Sequence, residues 1–216
     1  MHKAVSRRTG AMALVAGAIG VLAVGLLVTA LAAPTPASDS MRRETSLFAW
    51  QNAAVAVQAL VMIPVVLGLY RGATTGRLAR WTGLFGQVTL ALAAGLLLTG
   101  QVSDMLYMAP IGLVGIWLLL VNKKDDTLFS RAIVWAGTIA GLGLLLVGIG
   151  FVVYGSFVAP EVFTRPLTNA EIDAQSLTTP NLIAHICMAV GTLLGRVVYP
   201  IWTIALGLRA VRVGRD

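Results

Sequence analysis

Most of the side chains that could do chemistry inside a membrane lie in one apolar stretch, residues 182–208. Five polar residues in this stretch are spaced 7, 4, 3 and 4 apart: His185, Thr192, Arg196, Tyr199 and Thr203. This spacing predicts that they share one face of an α-helix with 3.6 residues per turn. Arg196 lies 14 residues from the start of the stretch and 12 from its end. A guanidinium there can bind a carboxylate or a lipid phosphate through paired hydrogen bonds.

The position of Arg196 predicts that its guanidinium is paired with another group. A stretch of about 20 apolar residues is long enough to cross a bilayer, which puts Arg196 near the midplane. A charge there costs about 2.5–3.5 kcal/mol or more, so it should face protein or water and be paired. No carboxylate lies at the same depth in the sequence. Arg196 could instead bind free carbonyls of a broken helix or the amides of Gln58 and Gln87.

Glutamines mark two other apolar stretches. Gln51 and Gln58 are seven residues apart, and Gln87 and Gln101 are fourteen apart, so each pair shares a helical face. We therefore predict that the second, third and sixth helices enclose a polar interior. Its candidate members are Arg196, His185, Thr192, Tyr199, Thr203, Gln51, Gln58 and Gln87. The alternative is that these amides and hydroxyls only tie helices together, each contributing about 0.6–2 kcal/mol.

Residue types needed for several membrane enzymes are missing. The three lysines lie outside the apolar stretches, which excludes a retinal Schiff base, and His185 is the only histidine within one. Cys187 is the single cysteine, and Asp104 is the only acid near a span. Ser156 with His185 lacks the GxSxG context of a serine nucleophile. We expect no catalytic residue, no metal site and no cofactor.

The composition indicates a membrane protein. Of 216 residues, 57% are hydrophobic and 12% are charged, against about 45–50% and about 25% in soluble domains. These values exclude a soluble globular domain, a disordered chain and a disulfide scaffold. We predict one all-α transmembrane domain over residues 1–216.

Six stretches are apolar and long enough to cross a bilayer. They are residues 11–33, 48–70, 82–101, 105–121, 132–154 and 182–208. Between the last two lies the longest predicted external loop, 155–181, in which Thr168 and Glu171 fit a capping box for a short helix over 169–177. The first stretch resembles a signal peptide, but at some 22 residues it exceeds the usual apolar region of about 7–15. A retained first helix is therefore predicted, and cleavage would leave five spans.

Positive charge orients the predicted bundle. If the N-terminus is cytoplasmic, twelve of the Lys and Arg residues fall inside and three fall outside: Arg42, Arg43 and Arg165. Short cytoplasmic loops collect basic residues in this way. We therefore predict six spans with both termini cytoplasmic. Arg outnumbers Lys thirteen to three, which is typical of a GC-rich bacterial genome, so the predicted location is a bacterial cytoplasmic membrane. The distribution of basic residues accounts for the net charge of +7. We therefore expect membrane lipids as partners and no nucleic acid.

Glycines predict close helix packing. The chain has 23 of them, and Gly137 with Gly141 and Gly191 with Gly195 follow the small-xxx-small spacing of helix contacts in lipid. Such faces serve either a homo-oligomer or packing within the bundle, and the second interpretation is favoured.

Two regions resemble a broad group of small bacterial six-span membrane proteins of unknown function. They are residues 107–145, with Pro110-Ile111-Gly112 and Arg131, Gly137 and Gly141-Leu142, and residues 199–207, with Trp202 and Gly207. The sequence departs from the group at Lys123-Lys124-Asp125-Asp126. The resemblance implies an integral membrane protein and supplies no catalytic residue.

Three functions stay open after the sequence is read. The first is a non-enzymatic protein that assembles with or regulates membrane partners. The second is a small transporter or channel-like protein with a polar core around Arg196, and the third is an enzyme acting on a lipid-borne substrate. A continuous water-accessible cavity reaching Arg196 would favour transport, and a dry, closed core would favour assembly.

Overall fold

The computed structural model describes residues 6–32, 40–72, 76–99, 106–122, 128–164 and 178–213. Within these ranges the chain is all-α, as predicted, and no strand occurs. The long helices are α1 (Arg7–Ala32), α2 (Ser40–Gly72), α3 (Arg77–Leu97), α4 (Met108–Val121), α5 (Arg131–Phe157) and α6 (Thr179–Val213). A 3₁₀ turn, Pro160–Phe163, follows α5.

Four of these helices are long and apolar enough to cross a membrane. They are α1 over Arg7–Ala30, α2 over Leu47–Tyr70, α5 and α6. The third and fourth predicted stretches are helical as well. With 21 residues, α3 is long enough to cross a membrane but less apolar than these four helices, and α4 has only 14 residues. At about 1.5 Å per residue, α4 is about 21 Å long, shorter than a hydrocarbon core of about 30 Å.

The helices form a closed ring. Each packs against its neighbour in the sequence from α1 to α6, and the C-terminal part of α6 (Val197–Val213) packs back against α1. The upper end of the ring is defined as the end where α1 finishes and where α4 and α6 begin. The opposite end is the lower end. Large apolar side chains such as Leu22, Leu92 and Leu193 are exposed on the outside of the ring. Helices that are apolar on both their inner and outer faces are typical of a membrane span.

Glycines let α5 approach both of its neighbours closely. A Cβ added at Gly148 would lie 2.7 Å from the Cα of Gly112 in α4, and a Cβ at Gly143 would overlap the backbone of Gly195 in α6. Real Cβ atoms do not tolerate such distances, so glycine at these positions sets the spacing of the helices.

The four glycines singled out in the sequence all make contacts within the chain. Gly137 faces the side chains of Asn122 and Trp202, and Gly141 faces the backbone of Gly115. Gly191 and Gly195 both face α5. This is packing within the bundle, and a homo-oligomer stays a prediction.

An aromatic cluster closes the lower part of the ring. The indole Nε1 of Trp202 donates to Oδ1 of Asn122 at 3.2 Å, and the Asn122 amide nitrogen donates to the Leu118 carbonyl at 2.7 Å. The Trp202 ring meets Trp117 edge to face with a centroid distance of 5.8 Å. These contacts tie α6 to α4 across the inside of the ring.

Some predictions lie outside the described residues. They are the short helix over 169–177 with its capping box, Gln101 and Asp104. Of the predicted external loop, residues 155–157 belong to α5, and α6 begins at Thr179.

Candidate ligand site around Arg196

The helix that carries Arg196 is not α-helical throughout. Within α6, residues Thr179–Gly191 and Val197–Val213 are α-helical, and Thr192–Arg196 form a π-helical turn between them. A π turn holds about one more residue than an α turn, so it rotates the two flanking parts relative to each other by about 100°. Such turns occur frequently at functional sites.

The π turn separates the five polar residues predicted to share one face. His185 and Thr192 line a groove on the outside of the ring, whereas Tyr199 lines a cavity on the inside. Thr203 is buried and donates to the Tyr199 carbonyl at 2.8 Å. Arg196, at the end of the π turn, lines both the groove and the cavity. The five residues therefore do not share one face.

The cavity inside the ring offers about 40 Å³ to the centres of water-sized molecules. That is room for about three or four waters, at about 10–15 Å³ each. Its polar lining consists of Gln51, Gln58, Arg196 and Tyr199. All six helices contribute to the wall, because the ring is closed, so α1, α4 and α5 add apolar residues to the three predicted helices.

Gln87 supports the cavity from behind. It is fully buried, and its Nε2 donates to the Tyr199 hydroxyl oxygen at 3.1 Å. Within the described residues, Oε1 of Gln87 and Nε2 of Gln58 are buried without a hydrogen-bond partner. A buried polar group left in this state costs about 1–3 kcal/mol. The unpaired Nε2 of Gln58, which lines the cavity, would therefore be stabilised by a hydrogen-bond acceptor there.

Arg196 lies against an aromatic ring, and no carboxylate of the described residues lies beside it. Its guanidinium carbon is 4.8 Å from the centre of the Tyr107 ring, a cation–π distance. Its Nη2 is buried and has no hydrogen-bond partner among the described residues. Glu161, the only acid whose side chain the structure describes, follows the end of α5 and is exposed. The π face of Tyr107 lowers the cost of burying the guanidinium but does not neutralise its charge.

The packing of the helices fixes the depth of Arg196. The adjacent Gly195 packs against Gly143 and Leu144, near the middle of the 27-residue α5. Helical side chains tilt toward the N-terminus of their own helix, which for α6 is the upper end. Tyr107, directly before α4, lies on that side. The guanidinium therefore points upward from the middle of the bundle and meets the ring of Tyr107.

The groove outside Arg196 opens between α1 and α6 in the upper half of the ring. Its volume is about 470 Å³, within the range of about 300–1,000 Å³ typical of ligand sites. Its walls are Val24, Leu27 and Val28 of α1, Met108, and one side of α6 from His185 to Val197. Val24 and Leu27 also line the cavity, so groove and cavity meet at Arg196.

The remaining predicted residues have local partners. The His185 side chain is exposed, its Nδ1 lies 2.9 Å from the Asn181 carbonyl oxygen, and its ring meets Tyr154 edge to face. Thr192 is half-buried on the groove wall. Sequence reasoning missed Tyr107, whose aromatic ring at the start of the fourth apolar stretch was the available signal.

No metal centre is formed by the described side chains: they contain no group of three or more His, Cys, Asp or Glu residues placed to hold a metal ion. Comparison with family models, with curated proteins and with solved structures finds no match to this chain. The resemblance to six-span bacterial proteins stays a prediction. A proposal about function therefore has to rest on the residues around Arg196.

Proposed function

We propose that the chain is a six-span integral membrane protein with both termini in the cytoplasm. The closed ring supports this, because α3 and α4 pack between helices long enough to span. At about 1.5 Å per residue α3 is about 32 Å long, and the shorter α4 has α3 and α5 on either side. Exposed Trp81 and Trp135 lie near the lower ends of α3 and α5, beside Arg77 and Arg131, as is typical of a membrane interface.

The function best supported by the geometry is non-enzymatic binding, in assembly with or regulation of a membrane partner. The observation that carries it is the buried Nη2 of Arg196, which has no hydrogen-bond partner in the described part of the chain. A charged group at this depth is costly unless it is paired. An anionic group from another molecule that reaches Arg196 would complete the pair, and the groove gives it access.

The polar groups around Arg196 favour binding over catalysis. The cavity lining offers two glutamine amides, a phenol and a guanidinium. These groups donate and accept hydrogen bonds, but they do not form a nucleophile–base pair of the kind that hydrolysis or transfer needs. The third function open in the sequence, an enzyme on a lipid-borne substrate, therefore has no supporting geometry here.

Transport is the second candidate, favoured by the meeting of groove and cavity at Arg196. Below the cavity, however, Tyr199 stacks on Trp202, which is tied to Trp117 and Asn122. This cluster closes the lower side, so transport needs a second conformation in which it opens. Uptake of an anion into vesicles that is lost in Arg196→Gln would favour transport over binding alone.

The proposed anion site can be tested by thermal unfolding in dodecyl maltoside with added dodecanoate. We expect dodecanoate to stabilise the wild-type protein and dodecanol, which has the same chain and no charge, to have little effect. At about 100 times the dissociation constant a ligand stabilises by about 2.7 kcal/mol. For a chain of this size that is a Tm increase of about 5–11 °C, at about 2–4 °C per kcal/mol.

Matched variants make the result specific. Arg196→Gln should lose the increase, and Arg196→Lys should keep part of it because lysine retains the charge without the paired donors. Arg212→Gln changes an exposed arginine near the end of the same helix and should keep the full increase. If Arg196→Gln and Arg212→Gln respond equally to dodecanoate, or if the wild type does not respond, the anion site does not exist.

A further inference from the structure

We propose that the groove between α1 and α6 is the docking site of a partner's transmembrane helix that carries an Asp or Glu near its middle. This inference rests on the proposed function and names the partner of the same site. The carboxylate of that helix would pair with Arg196, and its apolar side chains would pack on Val24, Val28 and Leu193. The evidence comes from depth, from the shape and lining of the groove, and from the charges of this chain.

Depth favours a helix over a lipid headgroup. Gly195 packs at the middle of α5, and the Arg196 guanidinium lies against the Tyr107 ring. Lipid headgroups lie at the surface, about 15 Å from the midplane of a core about 30 Å thick. A carboxylate within a transmembrane helix can lie at any depth, including that of Arg196.

The lining of the groove also fits a helix. Apart from His185, Thr192 and Arg196, the groove is lined by aliphatic residues, methionine and alanine from α1, α6 and the start of α4. Gly25, one turn from Val28 on α1, is exposed, and nothing lies within 4 Å of the place its Cβ would occupy. Exposed glycine between aliphatic residues lets a second backbone approach closely, which drives helix association in lipid.

A second copy of this chain does not have the carboxylate that the proposed partner needs. All nine acidic residues lie outside the six apolar stretches. No predicted span of a copy therefore carries an acid at its middle. The proposed partner is a different molecule.

Synthetic peptides in phosphatidylcholine vesicles test the proposal directly. The peptides are Leu/Ala transmembrane helices with lysine ends that carry one Asp, one Asn or one Leu at the centre, or the Asp one turn from an end. Binding to the full-length protein is measured by energy transfer between a label on the peptide and one on the protein. We expect the central-Asp peptide to bind about tenfold or more tightly than the central-Leu peptide, with the Asn and end-Asp peptides weaker than central Asp.

Three variants connect this binding to the groove. Arg196→Gln should remove the preference for Asp. Gly25→Trp should weaken binding of every peptide because it puts a bulky ring on α1 next to Val24 and Val28 of the groove wall. Gly95→Trp, at a second glycine with open space but on α3, should leave binding unchanged. Because Gly25→Trp keeps Arg196, it remains informative if Arg196→Gln does not fold.

Other occupants give different results. Equal binding of the central-Asp and central-Leu peptides, or an Asp preference that survives Arg196→Gln, overturns the proposal. If phosphatidylglycerol in the vesicles abolishes peptide binding and itself raises the Tm through Arg196, the occupant is an anionic lipid and the helix proposal fails. If the central-Asp and central-Leu peptides bind equally and dodecanoate also fails to stabilise the wild-type protein, Arg196 binds no anion. In that case the proposed function fails together with the helix proposal.

Discussion

Substitution of Gly143 by alanine should disturb the bundle at the level of Arg196. In the native packing this glycine of α5 lies against Gly195, the residue before Arg196 in the π turn. A Cβ at position 143 would overlap the backbone nitrogen of Gly195. The obstacle is backbone and cannot rotate away, so α5 and α6 must separate.

The expected cost follows from comparison with a glycine that has free space. Adding a methylene to a tightly packed interior typically costs about 1–3 kcal/mol. Replacing glycine by alanine within a helix also gains about 0.8–1.0 kcal/mol in helix propensity. Gly25→Ala has the same gain and no clash, since nothing lies within 4 Å of its Cβ position. Gly143→Ala should therefore be about 1–3 kcal/mol less stable than Gly25→Ala.

Thermal unfolding of both variants in the same detergent measures this difference. At about 2–4 °C per kcal/mol for a protein of this length, Gly143→Ala should unfold about 2–12 °C below Gly25→Ala. Because the π turn moves with α6, the dodecanoate response should also be smaller in Gly143→Ala. Equal Tm values for the two variants would refute the claim that the Gly143–Gly195 contact holds α6 in place.

Two further predictions concern the cavity and the topology. Tyr199→Phe removes the hydroxyl that accepts from Gln87, and a double-mutant cycle with Gln87→Leu should give a coupling of about 0.6–1.7 kcal/mol; a coupling of zero would contradict the hydrogen bond. In a Cys187→Ala background, cysteines at Ser6 and Thr164, both exposed, should react with a membrane-impermeant maleimide from opposite sides of the membrane, the first from the cytoplasm. Reaction of both from one side would contradict the proposed topology.

The helices could be predicted from the sequence because length and hydrophobicity alone decide them. The fifth stretch was predicted over 132–154, and the helix runs over Arg131–Phe157. The fourth was predicted over 105–121, and the helix begins only at Met108. In an apolar stretch the backbone can satisfy its own hydrogen bonds only as a helix, so little besides the boundaries was left open.

The candidate site was predicted in part. Gln51, Gln58, Tyr199 and Arg196, which the shared helical faces assigned to a polar interior, line one cavity. Tyr107 was missed because its ring reaches Arg196 from a different helix. Spacing along one stretch reports the faces of that stretch and contains no information on what packs opposite.

The sequence by itself determined that this is an all-α chain with apolar helices, that its basic residues lie almost entirely outside the six apolar stretches, and that Arg196 is an exception among the charges. Only the tertiary structure decided what Arg196 faces. The return of α6 to α1 closes the ring and leaves the groove, and the π turn puts His185 and Tyr199 on different faces. The groove and the different faces both depend on how the helices pack. One such contact joins Gly143 and Gly195, which lie far apart in the sequence. A periodicity of 3.6 residues assumes an unbroken α-helix, and that assumption fails at the turn that carries Arg196.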